Sequence, residues 1–140
     1  MQIRSATKDD ALWIKQIYKQ ESKNLGSFNL FQVWEKYLTG GAPNKFIAIG
    51  NYAFCNYNYS VRKKCFVIHD IGILNEYKGK GIGKFIVLKI AEIARRRGTY
   101  LMLKCNCDNV EGNAFYQKIG MKNNGICLTK KGAEQNLWII

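Results

Sequence analysis

The sequence predicts an α/β protein (an α+β mixed sheet with helices on both faces), and three observations carry that reading. Hydrophobic periodicity alternates along the chain between the two-residue period of strands and the 3.6-residue period of helices, in the order βααβββαβαββ. Residues 64–74 are long and apolar on both faces, as a strand covered on two sides must be. That strand runs into a glycine-rich turn and then an amphipathic helix, an arrangement whose helix start attracts anions.

The elements follow in order. Residues 2–6 read as a short strand. Thr7 offers an N-cap with Asp10 three residues on, and Ala11, Ile14, Ile17 and Tyr18 continue at helical spacing. Residues 27–38 form a second helix with an aromatic stripe of Phe28, Phe31, Trp34 and Tyr37, closed by the turn cluster Gly40–Asn44. Three strands follow over 46–49, 53–59 and 64–74, with turns at Gly50–Asn51 and near Arg62–Lys63. Residues 81–97 form a helix whose apolar face is Ile82, Phe85, Ile86, Ile90 and Ile93, ended by Gly98. A strand over 100–107, a helix over 110–119 ended by Gly120, and strands over 121–128 and 135–140 complete the chain.

The 140 residues, 47% of them hydrophobic, suit one packed core, and with one proline, no linker and no repeat they read as a single domain over 1–140. No apolar run approaches the roughly 18 residues of a membrane span, and Met1–Arg4 opens on a charged segment with no signal-peptide core. A cytoplasmic protein without membrane attachment is expected. Five cysteines with no Cys-x-x-Cys pair and one histidine make no metal set, so no metal is expected and the cysteines read as reduced thiols. Lys and Arg total 22 against 10 acids, a net charge of +12 that attracts polyanions such as nucleic acid or an acidic protein surface and disfavours a strongly cationic substrate.

The stretch Lys78-Gly79-Lys80-Gly81-Ile82-Gly83-Lys84 stands at a helix start, where unpaired backbone N–H groups and the helix dipole favour phosphate. It is not a Walker A loop, since Phe85 follows Lys84 where Ser or Thr is needed. It is not a dinucleotide fingerprint either: the spacing is Gly-x-Gly-x-Gly, and no acid stands near 99–103.

The stretch does resemble the acyl-CoA loop of the GNAT N-acetyltransferase superfamily, Arg/Gln-x-x-Gly-x-Gly/Ala, with Lys78 in the first position and Gly81 and Gly83 in the next two. Downstream, Asn109 to Met121 is similar to that family's Asn-x-x-Ala-x-x-Phe-Tyr-x-x-x-Gly-Phe, with Gly112 for Ala and Met121 for Phe. The opening Ile3-Arg4-x-Ala6-x-x-x-Asp10 is typical of it as well, and the resemblance spans residues 2 to about 125.

The resemblance implies acetyl-CoA as co-substrate, held by the backbone of Ile71, Gly72 and Ile73 and by the loop Lys78, Gly79, Lys80, Gly81, Ile82, Gly83 and Lys84. It implies Tyr116 as the acid that protonates the departing thiolate. His69, the only histidine, is implied as the base that deprotonates the amine; Asp70, pointing the other way, or a water relay is the alternative. Asn109 is implied to contact the cofactor, or else caps the helix that follows. The aromatic stripe falls where the family builds its acceptor pocket, although at helical spacing it also reads as core. A Cys105 or Cys107 nucleophile is disfavoured for want of a neighbouring histidine in sequence.

The expected activity is direct acetyl transfer to a primary amine of a small molecule or protein. The alternatives are action on nucleic acid or a charged tRNA, to which Arg62–Lys64 and Arg95–Arg97 could contribute, and a non-catalytic acyl-CoA-binding module. The expected state is a monomer or homodimer.

Overall fold

Strand β1 (Ile3–Ser5) leads through a single 3-10 turn (Lys8–Asp10) into helix α1 (Ala11–Gln20), followed by helix α2 (Asn29–Leu38). Strands β2 (Lys45–Ile49), β3 (Ala53–Ser60) and β4 (Cys65–Ile73) come next, then a 3-10 turn (Asn75–Tyr77) and helix α3 (Ile82–Arg96). Strand β5 (Leu101–Asn106), helix α4 (Val110–Lys118) and strands β6 (Lys122–Leu128) and β7 (Glu134–Ile139) close the order. This computed structural model describes residues 1–22, 25 and 29–140, without the side chains of residues 29–31. The expected start of the second helix at Ser27, with Phe28, lies outside the described residues, as does the side chain of Phe31.

The strands form one seven-stranded sheet in the order β1-β2-β3-β4-β5-β7-β6. The β4–β5 pair is parallel, and the β1–β2, β2–β3, β5–β7 and β6–β7 pairs are antiparallel. This is the mixed sheet the periodicity predicts. The chain divides into two compact units, residues 1–58 with 69–87 and residues 59–68 with 88–140, so β3, β4 and α3 each contribute to both.

In the first unit the spacing Ile14–Ile17–Tyr18 puts three side chains on one face of α1, and all three are buried. They pack with Trp34, Phe46, Ala48 and Phe54 in one cluster. Trp34 meets Phe46 edge-on at 4.9 Å, and Tyr37 donates its hydroxyl hydrogen bond to the carbonyls of Ala6 and Phe46 (3.0 and 3.2 Å). Trp34 and Tyr37 of the aromatic stripe are therefore core and frame. Gly72 answers to the same packing: a Cβ there would come within 2.5 Å of Ile17 Cγ2 and 2.6 Å of Phe54 Cε1.

The opening motif has a structural reason. Arg4 forms a bidentate pair with the buried Asp10 (2.8 and 2.7 Å) and reaches the carbonyl of Gly50 (2.6 Å). Asp10 also accepts from the Thr7 N–H (2.8 Å) and from the Trp13 indole (2.9 Å). The Arg4 guanidinium, more than any other partner, holds the Asp10 pKa down to about 2. A lowered carboxylate stabilises the fold above its ordinary value and loses that contribution as pH falls towards 2. Asp10→Ala orphans the Trp13 and Thr7 donors and is expected to cost about 2 kcal/mol at pH 7 by denaturant titration. A loss below about 0.5 kcal/mol contradicts this account.

In the second unit β5 pairs with β7 in the register Leu103↔Trp138, and β6 pairs with β7 across an irregularity between Asn123 and Ile126. The parallel ladder joins Phe66–Ile68 of β4 to Leu101–Leu103 of β5. Cys65, Val67 and Met102 form a small buried cluster with Leu137 and Ile139 against it. All five cysteines are free thiols. Among the described residues no helix is long and apolar enough to cross a membrane, and no group of three or more His, Cys, Asp and Glu could hold a metal ion.

Candidate functional site

The glycine loop leaves the end of β4 through a bend held by α1. Gln20 donates from Nε2 to the carbonyl of Ile73 and accepts at Oε1 from the N–H of Asn75, both at 3.1 Å. The Leu74 N–H donates to the carbonyl of Tyr52 (2.8 Å), and Tyr77 stacks on Tyr52 with centroids 4.2 Å apart and planes within 6°. Lys78 is ion-paired with Glu21, and Lys80 Nζ lies 5.3 Å from the Tyr77 ring centroid. No local pattern marks Gln20, Glu21 or Tyr52 as loop partners, because each meets the loop across long sequence separations.

Past that anchor the backbone turns left-handed twice, at Gly79 (φ +76°) and Gly81 (φ +80°). A Cβ at either position would meet nothing within 4 Å, so the loop presents bare peptide groups. The first rung of α3 is the Phe85 N–H donating to the carbonyl of Gly81 (3.0 Å). The amides of Ile82, Gly83 and Lys84 precede it and have no acceptor one turn back. Ile82 and Gly83 are buried, so they offer only backbone, while Lys80 and Lys84 are exposed. The donor set, several amides with cations around them, fits a pyrophosphate.

On β4, alternation puts His69 and Asp70 on opposite faces, and the exposed one is His69. Its Nε2 lies 2.6 Å from Asn58 Oδ1. Asp70 is 5% exposed. Its Oδ2 accepts long hydrogen bonds from the Tyr18 hydroxyl (3.4 Å) and Asn56 Nδ2 (3.5 Å), while Asn44 Nδ2 donates to Asn56 Oδ1 (2.9 Å). Burial pushes the Asp70 pKa up to about 6, against the weaker downward pull of those two donors. Burial likewise pushes Cys55 and Tyr18 up, with the charge of Asp70 adding to both, so each stays protonated at neutral pH.

Tyr116 and Asn109 belong to the second unit. Asn109 caps α4, its Oδ1 accepting from the Gly112 N–H at 3.0 Å. The departure of Gly112 from the family pattern follows from this cap: a Cβ there would meet Asn109 Nδ2 at 2.5 Å and Cys105 Sγ at 3.0 Å. Burial raises the Cys105 pKa to about 11, which keeps it a thiol and makes it a poor nucleophile.

Asn113, which the sequence reading missed, uses its whole amide. Nδ2 donates to the carbonyls of Asn106 and Asn109 (2.9 Å each), and Oδ1 accepts from Asn136 Nδ2 (3.0 Å) and Trp138 Nε1 (2.9 Å). It thereby fixes α4 to β7 one turn before Tyr116. Tyr116 is half-buried, its ring 5.2 Å from Phe115 and 6.3 Å from Trp138.

Comparison with known proteins speaks to the fold and the family. The family model described as the acetyltransferase (GNAT) family matches residues 5–121. An N-acetyltransferase from Staphylococcus aureus Mu50 superposes with a TM-score of 0.74 at 16% identity, covering 99% of this chain and 96% of that one. A protein from Desulfovibrio desulfuricans assigned to the GNAT acetyltransferases gives a TM-score of 0.82 at 12% identity, over 99% of this chain and 97% of that one. A protein assigned as an acetyltransferase from Salmonella typhimurium, solved with acetyl-CoA, gives 0.68 at 15% identity, over 99% and 92%. At these identities the superpositions speak for the fold, and the family match covers most of the chain: this protein belongs to the GNAT acetyltransferase family.

Proposed function

We propose that the protein, acting as a single N-acetyltransferase domain, uses acetyl-CoA to acetylate a primary amine of a small molecule or protein by direct attack. The observation that carries this reading is the loop at the head of α3, where two left-handed glycines and the first-turn amides offer a pyrophosphate cradle. When bound, acetyl-CoA supplies a thioester whose acetyl group is open to an amine nucleophile.

The chain's own residues divide the remaining work. The backbone of Ile71, Gly72 and Ile73 orients the donor by strand-like hydrogen bonds. The amides from Gly79 to Gly83, with Lys80 and Lys84, hold its phosphates, and Lys78 joins them by leaving Glu21. Tyr116 gives its phenolic proton to the departing sulfur, and Asn109 contacts the donor through the part of its amide that does not cap α4. His69, exposed and oriented by Asn58, takes the proton of the ammonium acceptor, directly or through water. Asp70 is the less suitable base because it is buried and committed to Tyr18 and Asn56.

The decisive assay incubates the protein with acetyl-CoA and a broad panel of amines and follows free thiol. Thermal stabilisation by acetyl-CoA together with acceptor-dependent thiol release supports the reading. Stabilisation without release from any acceptor favours a binding module instead, and neither signal removes the reading. In the active system, His69→Ala is expected to flatten the acid limb of the pH–rate profile, where a base becomes protonated and idle. An unaltered limb takes the base role from His69.

A further inference from the structure

The cations of the second unit are concentrated. Residues 59–68 and 93–107 contain Arg62–Lys64, Arg95–Arg97 and Lys104 and no carboxylate. The adjacent Glu92 is already bonded to Arg96 (2.7 Å) and faces Lys89 at 3.7 Å.

The turn after β3 and the link between α3 and β5 are tied together. Thr99 Oγ1 donates to the carbonyl of Lys64 (2.7 Å), and the Phe66 N–H donates to the carbonyl of Tyr100 (3.1 Å). Lys64, at φ +56°, closes the turn with its N–H on the carbonyl of Ser60 (2.7 Å). Lys63 packs towards Lys104 and Arg62, and burial first, then these like charges, lowers its pKa. Positive charge is held close here.

Aromatic rings stand among these cations. Phe66 takes the edge of Tyr59 at 5.3 Å and the Arg97 guanidinium at 5.7 Å. Tyr59 and Tyr100 remain 42% and 44% exposed. Charge alone would suit any polyanion. Exposed tyrosines beside arginines add what flat, unpaired bases require, whereas a duplex hides its base faces and an acidic protein surface offers none.

We propose that this end of the sheet, the turn 61–64 with Tyr59 and Arg97 on the Phe66 side and Tyr100 and Lys104 on the Cys65 side, binds single-stranded nucleic acid that passes around it, with phosphates on the cations and bases on the two tyrosines. The proposal stands independently of the acyl-transfer reading.

The test is fluorescence anisotropy with a labelled single-stranded 20-mer, as RNA and as DNA, and the duplex of the same sequence, from 50 to 200 mM salt. A single strand is expected to bind at least tenfold more tightly than the duplex, with log Kd rising against log salt at a slope of about 2–3 for some four phosphates. The triple variant Arg62→Ala, Lys63→Ala, Lys104→Ala is expected to lose at least tenfold in affinity and to flatten that slope. Removing the same charge elsewhere, by Lys8→Ala, Lys36→Ala and Lys45→Ala, is expected to change affinity by less than about threefold. Tyr59→Leu with Tyr100→Leu keeps apolar bulk for folding and is expected to cost about tenfold at an unchanged slope. Equal losses in the two charge variants, a duplex bound as tightly as the single strand, or no binding at 50 mM salt overturns the proposal. Unchanged melting temperatures establish that each variant is folded.

Discussion

Tyr116→Phe is expected to lower kcat at least a hundredfold while KM for acetyl-CoA stays within about twofold, since a positioned general acid contributes about 10²–10⁴ in rate. The substitution removes one hydroxyl and keeps the ring that packs against Phe115 and Trp138. Binding of the donor rests, in the proposed mechanism, on backbone amides that this change does not touch. The leaving thiolate would then depart without a proton, and the penalty falls on the chemical step. Steady-state kinetics with the best acceptor from the amine panel separates the two constants. Turnover within threefold of wild type assigns Tyr116 to packing, and a rise in KM with kcat unchanged assigns it to binding.

Asp70→Asn is expected to stabilise the fold at pH 7.5 and to do nothing near pH 4. The carboxyl has its pKa pushed up to about 6 by burial, above its ordinary 3.8, so the folded state binds the proton more tightly than the unfolded chain. For a raised carboxyl, the stability it contributes is complete below pH 3.8 and is lost as pH rises through 6. The difference corresponds to about 3 kcal/mol at most; the Tyr18 and Asn56 bonds, retained by Asn, and the new amide hydrogens bring the expected gain to about 2 kcal/mol. Denaturant titrations of both proteins from pH 4 to 8 check this. A wild-type curve flat over that window, or a variant less stable at pH 7.5, refutes the buried-charge account. Retained activity in the same variant also removes Asp70 as the base, leaving His69 or water.

Much of this architecture was legible because it is written locally. The two-residue and 3.6-residue periods of β2 to β5 and of α1 and α3 survive into the structure with end shifts of a residue or so. The loop was legible for the same reason: Gly79 and Gly81 serve their own left-handed backbone, and Gly81 at φ +80° is why α3 starts at Ile82. What the chain does not write locally was not legible. Alternation separates His69 from Asp70, but only packing decides that Asp70 is the one buried, under α1. The four bonds of Asn113 link residues 106, 109, 136 and 138, and no periodicity marks them. The placement of β7 between β5 and β6 is a matter of strand order, which two adjacent strand patterns leave undetermined. Gly112 looked like a departure from the family pattern, and only the position of the Asn109 amide and the Cys105 sulfur explains it.

The grip of Gln20 on both sides of the bend at residues 73–75 has a thermodynamic corollary. One side chain at the end of α1 satisfies a carbonyl and an amide of the loop's approach, and Tyr52 holds Tyr77 by stacking. The peptide groups proposed to hold phosphate are thus ordered when the chain folds, before any ligand arrives. Donor association then freezes few torsions of the protein, and its entropy loss falls mainly on the flexible pantetheine arm.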